Sequence, residues 1–461
     1  AIAVDQLGVR KGAVAIYLDV WHKDIVDFLN VKTNNGDDRL KAHDIFPGVC
    51  IPDLFMRTLD QRGTWYLFDP HEVKQIMGFS LEDCYDETPD GGTFTARYMQ
   101  CVDNEELSRT PIQAIDIARF MLRSQAETGT PFVFFRDETN RKNPNKHKGM
   151  IYCTNLCTEI FQNMSATVRE EVKTDEDGYT TTRVKNGDFV VCNLSSVNLG
   201  KTNTKEDIER VVTCAVRMMD NVITLNYYPV EQARVTNQRY RAVGLGTSGY
   251  HQLLAKHKIA WESDEHYEMA DRIYEWLNYY AIKASNEIAK EKGAYPYFQG
   301  SEWHTGAYFT QRGYSSDEWN ELKNDVQSTG IRNGYLFAVA PTASTSLVSN
   351  STAGIDPVYQ RFFIEEKKNA LIPQTAPELS SETYWFYKEA HQIDQLTSIK
   401  ACGIRQRHID QGQSFNLYIT SDTTLSELLK MYMEAWRNGL KSVYYVRSRT
   451  TDLQDCVSCS S

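Results

Sequence analysis

The chain alternates between short apolar runs and longer amphipathic stretches. Residues 13–18 and 132–135 are apolar throughout, which is typical of strands buried on both faces. Residues 111–127 carry apolar side chains at helical spacing, and Gly129 follows as a stop signal. Residues 264–292 have the same helical character. Strands that alternate with helices in this way predict an α/β fold with parallel strand pairing.

Further elements follow the same rules. Thr204 is a predicted helix N-cap, with Asp207 placed three residues later as in a capping box. Residues 423–438 predict an amphipathic helix, whereas residues 335–340 and 442–447 predict short buried strands. These segments extend the α/β pattern to the C-terminal part of the chain.

Two polar segments interrupt the pattern. Residues 164–188 are charge-rich and contain Asp177-Gly178 and Asn186-Gly187, which predicts an exposed hairpin-like insertion. Residues 449–461 are polar and aperiodic, which predicts a flexible tail. We therefore expect one major domain over residues 1–448, followed by that tail.

The composition excludes some classes of function. The 461-residue chain has a formal net charge of −11 and no long basic run, which disfavours a nucleic-acid-binding face. No apolar run approaches the roughly 20 residues that span a bilayer, so we expect no membrane partner. Ten cysteines in a chain without a signal-peptide pattern predict a cytoplasmic, mostly reduced protein. Cysteines that matter there are usually catalytic, redox-active or metal-binding.

Three chemically active side chains alternate in residues 153–160, with the sequence Cys-Thr-Asn-Leu-Cys-Thr-Glu-Ile. Asn155, Cys157 and Glu159 share one face if the segment is extended. A thiol can give up a hydrogen atom, a carboxylate can transfer a proton, and an amide can hold a substrate hydroxyl. By composition alone, the pattern also fits an ordinary half-buried strand.

Two further features have both a chemical and a structural interpretation. Cys192 lies in an apolar, strand-like segment, where a cysteine is commonly a small buried hydrophobe. The turn at residues 341–346, Pro-Thr-Ala-Ser-Thr-Ser, follows a predicted strand and offers N–H and O–H donors to a phosphate. Such a turn is also a common helix cap.

The C-terminal part of the chain adds two pairs of residues. Tyr444 and Tyr445 are adjacent on a predicted strand, so they should face opposite ways, one towards a site and one towards a partner, unless both only pack in the core. Cys456 and Cys459 form a single CxxC motif on the polar tail. A structural zinc site needs four ligands, so a mobile redox shuttle is the favoured interpretation.

These strings resemble the catalytic, large subunit of class I ribonucleotide reductases. Asn-Leu-Cys-Thr-Glu-Ile at 155–160 is similar to the finger loop of that family, and residues 439–447 are similar to its radical-relay segment. The substrate-phosphate loop of the family resembles the segment Thr342, Ala343, Ser344 and Thr345. Shorter similarities lie at residues 51–56, 226–229, 244–246, 330–333 and 410–414.

The resemblance implies a ten-stranded α/β barrel with a central finger loop, of which this chain lacks the N-terminal part. It implies reduction of ribonucleoside diphosphates to deoxyribonucleoside diphosphates by a thiyl radical at Cys157. Asn155 and Glu159 would bind the ribose hydroxyls and assist loss of water. The resemblance assigns the diphosphate to residues 342–345.

The resemblance also implies a relay and a redox chain. Tyr444 and Tyr445 would pass an oxidising equivalent from the small subunit, whose metal cofactor supplies the radical. Cys192 would be one half of the active-site redox pair. Cys456 and Cys459 would re-reduce that pair and be reduced in turn by thioredoxin or glutaredoxin. We expect no metal or other cofactor bound in this chain itself.

The N-terminal string at 5–12, Asp-Gln-Leu-Gly-Val-Arg-Lys-Gly, resembles the specificity loop of the family. Gln6 and Arg10 would contact base or phosphate there, although the residues alone also fit a solvated turn. No segment matches the redox partner of Cys192. The resemblance therefore places that cysteine, the overall-activity domain and most of the ATP and dNTP effector site in an absent N-terminal part. Either a shortened chain or a split gene fits, and we expect the chain to be inactive alone.

Two other functions stay open from the sequence. One is a catalytically inactive partner that only docks nucleotide or the small subunit, and the other is a cobalamin-dependent reductase that needs no radical-generating subunit. Retention of Cys157, Glu159, the two tyrosines and the tail CxxC favours the class I enzyme. The remaining cysteines match no redox motif and are interpreted as structural; they are Cys50, Cys84, Cys101, Cys153, Cys214 and Cys402.

Overall fold

The computed structural model describes residues 12–367 and 370–449 as a mixed α/β protein. The strands are β1 (Val14–Asp19), β2 (Ile45–Ile51), β3 (Thr64–Leu67), β4 (Thr110–Gln113), β5 (Phe132–Phe135), β6 (Val168–Thr174), β7 (Thr180–Lys185), β8 (Leu194–Asn198), β9 (Gly244–Ser248), β10 (Phe362–Lys367), β11 (Ala370–Thr375), β12 (Leu417–Ile419), β13 (Ser442–Val443) and β14 (Val446–Ser448).

The helices lie between these strands. They are α1 (Ile25–Asn30), α2 (Asp53–Asp60), α3 (Pro70–Met77), α4 (Thr93–Asp103), α5 (Ala114–Thr128), α6 (Arg136–Arg141), α7 (Lys205–Leu225), α8 (Glu231–Tyr240), α9 (Tyr250–Lys256), α10 (Asp264–Lys292), α11 (Glu302–Thr305), α12 (Ala307–Gln311), α13 (Asp317–Thr329), α14 (Ala343–Ser349), α15 (Gln395–Gln406) and α16 (Leu425–Arg437). In the described ranges, no helix combines the length and apolar character that a membrane crossing requires.

The strands that surround the finger loop form two parallel groups of opposite direction. β1, β2 and β5 are parallel neighbours, and β5 pairs with β13 in the antiparallel sense. β12 pairs in parallel with β14, and β8 pairs in parallel with β9. Parallel bridges from Leu245 to Phe337 and from Val339 to Gln413 join these two pairs. The predicted α/β class with parallel pairing is therefore confirmed.

Eight strand segments follow one another in the order β1, β2, β5, 442–448, 413–419, 336–339, β9 and β8. Within the described residues this array does not close into a ring, and β1 and β8 are its two ends. Val14 and Ile16 of β1 are each 44% exposed, and Leu194 of β8 is 41% exposed. The prediction that residues 13–18 are buried on both faces is thus wrong, because β1 has a described neighbour on one side only.

The helical layer is organised around α10. This 29-residue helix packs against α7, α13 and α15, and buries Ile273, Leu277 and Ala281 along one side. Ser263 caps its start by accepting the N–H of His266, and the helix ends at Gly293. The helix predicted over residues 264–292 is therefore confirmed residue for residue.

Other predicted elements are shifted or irregular. Thr204 caps α7 by accepting the N–H of Asp207, as its sequence position predicted. The predicted strand at 335–340 is reduced to single bridges at Phe337 and Val339. The predicted strand at 442–447 is interrupted between β13 and β14, which leaves Tyr444 and Tyr445 outside both ladders.

Two hairpins project from this framework. β6 and β7 form the exposed hairpin that was predicted within residues 164–188, and a bridge between Ser165 and Asp188 lies at its base. The hairpin of β10 and β11 was not predicted, because no Asn-Gly or Asp-Gly turn marks it. The predicted tail at 449–461 falls outside the described residues except for Arg449.

We predict that Thr424→Ala lowers the free energy of unfolding by about 1 kcal/mol, the usual contribution of an N-cap side chain. Thr424 accepts the N–H of Glu427 at the start of α16, and the Glu427 carboxylate accepts the N–H of Thr424 in return. Urea unfolding measures the change. Ser426→Ala, on the exposed first turn of the same helix, is the matched control and should leave stability nearly unchanged.

Candidate active site

A tight turn, not an extended strand, brings the predicted catalytic side chains together. The N–H of Thr158 donates to the carbonyl of Asn155 at 3.2 Å, and Thr158 has a left-handed φ of 63°. The side-chain oxygen of Asn155 accepts the N–H groups of Glu159 at 3.1 Å and of Ile160 at 3.0 Å. Asn155 therefore shapes the finger loop. The expectation that the three side chains share one face of an extended strand is wrong, because a turn brings Asn155 and Glu159 together.

Two serines from other segments fix this loop. The Ser414 hydroxyl lies 2.5 Å from the carbonyl oxygen of Cys157 and 3.1 Å from the Glu159 carboxylate. The Ser442 hydroxyl donates to the carbonyl of Thr158 at 2.9 Å. Both serines are nearly fully buried. The loop is therefore held at its backbone by neighbouring strands, which leaves the Cys157 sulfur available for chemistry.

A close backbone approach behind the loop requires glycine. The N–H of Gly412 donates to the carbonyl of Glu159 at 2.9 Å. A Cβ atom at position 412 would lie 2.1 Å from the ring of Phe161, closer than any side chain tolerates. Residues 410–414 are among the shorter family similarities, which points to this segment. The sequence alone does not identify Ser414 or Ser442 as residues that hold the loop.

The paired tyrosines lie directly against the predicted radical cysteine. The hydroxyl of Tyr444 is 3.6 Å from the Cys157 sulfur, within hydrogen-bonding distance for this element. The rings of Tyr444 and Tyr445 have centroids 4.2 Å apart and are tilted by 49°. Phe132 contacts both rings, at 4.8 and 5.0 Å. Tyr444 is buried and Tyr445 is half-buried.

The prediction that the two tyrosines face opposite ways is wrong. That rule holds for a regular strand, and the ladder is broken between β13 and β14 at these two residues. Both rings consequently lie on the same side, one behind the other, starting from Cys157.

Burial changes the proton affinity of the site. Glu159 is 1% exposed, and burial raises the pKa of its carboxyl to about 7, although hydrogen bonds from Asn155 and Ser414 act in the opposite direction. The pKa of the Cys192 thiol is raised to about 12 by the protein packed around its sulfur and then by the neighbouring Glu159 carboxylate. Taken as a whole residue, backbone included, Cys192 is nonetheless exposed, and it lies two residues before β8.

Cys192 therefore lies near the site, since the Glu159 carboxylate raises the pKa of its thiol and the Asn155 side chain lowers it. An amide, a carboxyl and two thiols converge at one place. This set can exchange a proton near neutral pH through Glu159 and can take part in thiol redox chemistry.

The predicted phosphate turn lies close to this set. Ser414 donates its N–H to the carbonyl of Val339 at 2.9 Å, and the turn begins two residues after Val339. At about 3.3 Å per residue, Thr342 lies within roughly 10 Å of Val339 along the chain. Thr342 has a left-handed φ of 57°, accepts the N–H of Gly354 and caps α14, the helix that contains Ala343, Ser344 and Thr345.

Four predicted site residues fall outside the described part of the chain: Gln6, Arg10, Cys456 and Cys459. The cysteines interpreted as structural differ in environment. Cys50, Cys84, Cys101 and Cys402 are buried, Cys153 is half-buried, and Cys214 is exposed on α7.

We predict that Glu159 makes the stability of the protein depend on pH. The pKa of its carboxyl rises from 4.5 to about 7 on folding, so the folded protein holds a proton that the unfolded chain has lost in that interval. The free energy of unfolding therefore falls as the pH rises from 4.5 to about 7. Glu159→Gln removes this contribution. The free energy of unfolding of the variant, relative to that of the unchanged chain, should therefore increase between pH 4.5 and about pH 7 and stay constant above that.

Urea unfolding at about pH 5 and about pH 8 measures this difference. Glu176→Gln, in the exposed turn of the β6–β7 hairpin, controls for general effects of removing a carboxylate. A stability difference between the Glu159→Gln variant and the unchanged chain that is the same at both pH values would contradict the prediction.

Comparison with known proteins assigns the chain to a family. A family model described as "Ribonucleotide reductase, barrel domain" matches residues 1–446. The chain is 55% identical over 470 residues to the ribonucleoside-diphosphate reductase subunit alpha of Treponema pallidum, covering 100% of this chain and 55% of the relative. The corresponding subunit of Helicobacter pylori is 40% identical over 505 residues, covering 99% and 63%. That of Bacillus subtilis is 30% identical over 479 residues, covering 99% and 66%.

The chain thus spans between about half and two thirds of the length of these curated relatives. The matched region includes the finger loop, Cys192, the turn at 342–345 and both tyrosines. On this match and on the geometry around Cys157, the chain belongs to the ribonucleotide reductase barrel-domain family.

Proposed function

We propose that this chain is the C-terminal part of a class I ribonucleoside-diphosphate reductase catalytic subunit. In this role it reduces ribonucleoside diphosphates to deoxyribonucleoside diphosphates through a thiyl radical at Cys157. The observation that carries the proposal is the 3.6 Å contact between the Tyr444 hydroxyl and the Cys157 sulfur, with Tyr445 directly behind.

The relay follows from that contact. A tyrosine can lose an electron and a proton together, which leaves a neutral phenoxyl radical. A phenoxyl at Tyr444 takes the hydrogen atom of the Cys157 thiol, which restores the phenol and leaves a sulfur radical. Tyr445 supplies the oxidising equivalent to Tyr444 and receives it from a small radical-generating subunit, whose metal cofactor is the source of the radical.

The sugar chemistry uses the groups around the finger loop. The Cys157 radical removes the 3′ hydrogen atom of the ribose, and Asn155 and Glu159 hold the hydroxyls. Glu159, whose pKa lies near 7, exchanges a proton as the 2′ hydroxyl leaves as water. Cys192 and a second thiol then supply two electrons and two protons as they form a disulfide, and the 3′ hydrogen returns from Cys157.

Substrate orientation and turnover need further groups. The turn from Thr342 to Thr345 binds the diphosphate, while Gln6 and Arg10 contact the base or an effector nucleotide. We assign residues 1–448 to the barrel and residues 449–461 to a flexible tail in which Cys456 and Cys459 reduce the disulfide. Thioredoxin or glutaredoxin reduces the tail in turn, which suits a cytoplasmic enzyme.

A separate or preceding N-terminal segment completes the barrel in this proposal. The described array has eight positions and two ends with exposed apolar side chains at Val14, Ile16 and Leu194. Two further strands between β1 and β8 would give the ten-stranded ring. The same segment would carry the second redox cysteine and most of the ATP and dNTP site.

The tyrosine pair distinguishes this proposal from the two alternatives. A cobalamin-dependent reductase generates the thiyl radical next to its own cofactor and has no use for a phenol pair at the cysteine. A catalytically inactive docking partner has no use for a half-buried thiol against a buried phenol. Activity with adenosylcobalamin and no small subunit would support the first alternative instead.

We predict that Cys157→Ser abolishes diphosphate reduction without disturbing assembly, because a hydroxyl does not form the required radical. The assay combines this chain, a polypeptide corresponding to the N-terminal part of the relatives, the small subunit and thioredoxin. The chain without the N-terminal polypeptide should be inactive. Cys214→Ser, at an exposed cysteine on α7, is the matched control and should retain activity. Retained activity of the Cys157→Ser variant would exclude the proposal.

We predict that Tyr444→Phe also abolishes reduction, because the ring remains but the exchangeable hydroxyl hydrogen is lost. Tyr432→Phe, at a buried tyrosine of α16, is the matched control and should retain reduction. Substrate binding by both variants should equal that of the unchanged chain. A Tyr444→Phe variant with ordinary turnover would remove the relay from the mechanism.

A further inference from the structure

A cavity of about 180 Å³ has no residue of the finger loop or of the turn at 342–345 in its lining. Its walls come from the end of α6, the end of α12, the end of α15 and residues 438–441. A water molecule occupies roughly 30 Å³ in the liquid, so the cavity has room for a small polyatomic ligand.

Three cationic side chains line this cavity without an acidic partner. Arg312 is 5% exposed and Lys441 is 2% exposed, whereas Lys142 is half-buried. In the described part of the chain, none of the three has a carboxylate oxygen within 4.0 Å. Buried charges are normally paired, because an unpaired charge loses its hydration without compensation.

The hydrogen-bonding capacity of these groups is largely unused. Lys441 donates to the carbonyl oxygen of Asp410 at 2.5 Å. Arg312 lies 3.6 Å from the ring centre of Tyr308 and donates to the Tyr308 carbonyl at 3.3 Å, but its buried Nε has no hydrogen-bond partner within the described ranges. A guanidinium in this state is an unsatisfied donor at a cavity wall.

The nearby carboxylates are engaged elsewhere. Glu138 borders the cavity but pairs with Arg141 at 2.9 Å. Arg407 also borders it, and its nearest carboxylate, Asp271, is hydrogen-bonded to His408 at 2.8 Å.

The buried Asp410 carboxylate also acts on Lys441 and Arg312, but it makes no ion pair with them within 4.0 Å in the described residues and accepts the N–H groups of Leu336 and Phe337. Four cations thus border the cavity near two carboxylates, Glu138 and Asp410, which leaves an excess of positive charge.

We propose that this cavity is a binding site for a phosphate-type oxyanion, held by Lys142, Arg312 and Lys441. A tetrahedral oxyanion supplies several acceptor oxygens and a negative charge, which are what the three cations lack. The pKa values of the two lysines agree with an anion site. Burial, with a contribution from Arg312, lowers the pKa of Lys441 to about 7 and also lowers the pKa of Lys142, and a bound anion would reverse both changes.

This site is separate from the proposed substrate subsite. It includes none of residues 153–159, Cys192 or residues 342–345. Lys441 nevertheless precedes Ser442 directly and Tyr444 by three residues, about 10 Å along an extended chain. An anion there would therefore hold the start of the strand segment that fixes the finger loop.

The test is a titration of the full chain with inorganic phosphate in a phosphate-free chloride buffer of constant ionic strength, followed by calorimetry. We expect saturable binding of one phosphate. Lys142→Met should weaken it about tenfold, as expected for loss of one charge-assisted contact. The matched control is Lys283→Met. Lys283 is an exposed lysine on α10 that pairs with Glu209 on α7, and its replacement should leave the phosphate affinity unchanged.

A second variant and a second ligand sharpen the result. Arg312→Lys keeps the charge but loses the planar donor set, and it should also weaken binding; if it fails to fold, Lys142→Met still decides. ADP in place of phosphate separates the sources, because ADP affinity falls in Lys142→Met only if the phosphate of a nucleotide occupies the cavity. No saturable phosphate or ADP binding, or equal affinity in the Lys142 and Lys283 variants, would overturn the proposal.

Discussion

The surrounding structure keeps the Tyr444 hydroxyl and the Cys157 sulfur in contact, 3.6 Å apart. In the proposed relay, the Cys157 sulfur exchanges a hydrogen atom with the phenol, so it must be held at a fixed distance from the Tyr444 hydroxyl. The structure achieves this through the backbone. Ser414 and Ser442 bind the carbonyls of Cys157 and Thr158, and Asn155 closes the turn, so the loop is rigid and the thiol is not engaged by these bonds.

The strands behind the loop depend on a second buried polar group. Asp410 is 1% exposed, accepts the N–H groups of Leu336 and Phe337, and presents its own carbonyl to Lys441. It therefore joins the segments 336–339 and 413–419 where a regular ladder is missing. Burial raises the pKa of this carboxyl, and the two N–H donors act against that change. The Asp410 side chain thus supplements the single bridge between Val339 and Gln413 and helps to place Ser414 beside the finger loop.

The sequence predicted the periodic elements well and the irregular ones poorly. α10 and the cap at Thr204 follow from spacing and local hydrogen bonding, which act within a few residues. The exposure of β1 and the interrupted strand at Tyr444 depend on neighbours distant in the chain, which periodicity does not encode. For the site, residue types and family resemblance selected Asn155, Cys157 and Glu159. They did not indicate the serines, whose hydroxyls act on backbone atoms more than 250 residues away.

The interruption between β13 and β14 is what makes the tyrosine pair possible. In a regular strand, Tyr444 and Tyr445 would point to opposite faces, and only one would reach the thiol. Because both residues leave the ladder, their rings meet at 4.2 Å, and Phe132 supports them together. Pairing resumes at once, with β14 against β12, so the irregularity is confined to Tyr444 and Tyr445. A short break in the sheet thus brings two adjacent tyrosine rings together next to the Cys157 sulfur.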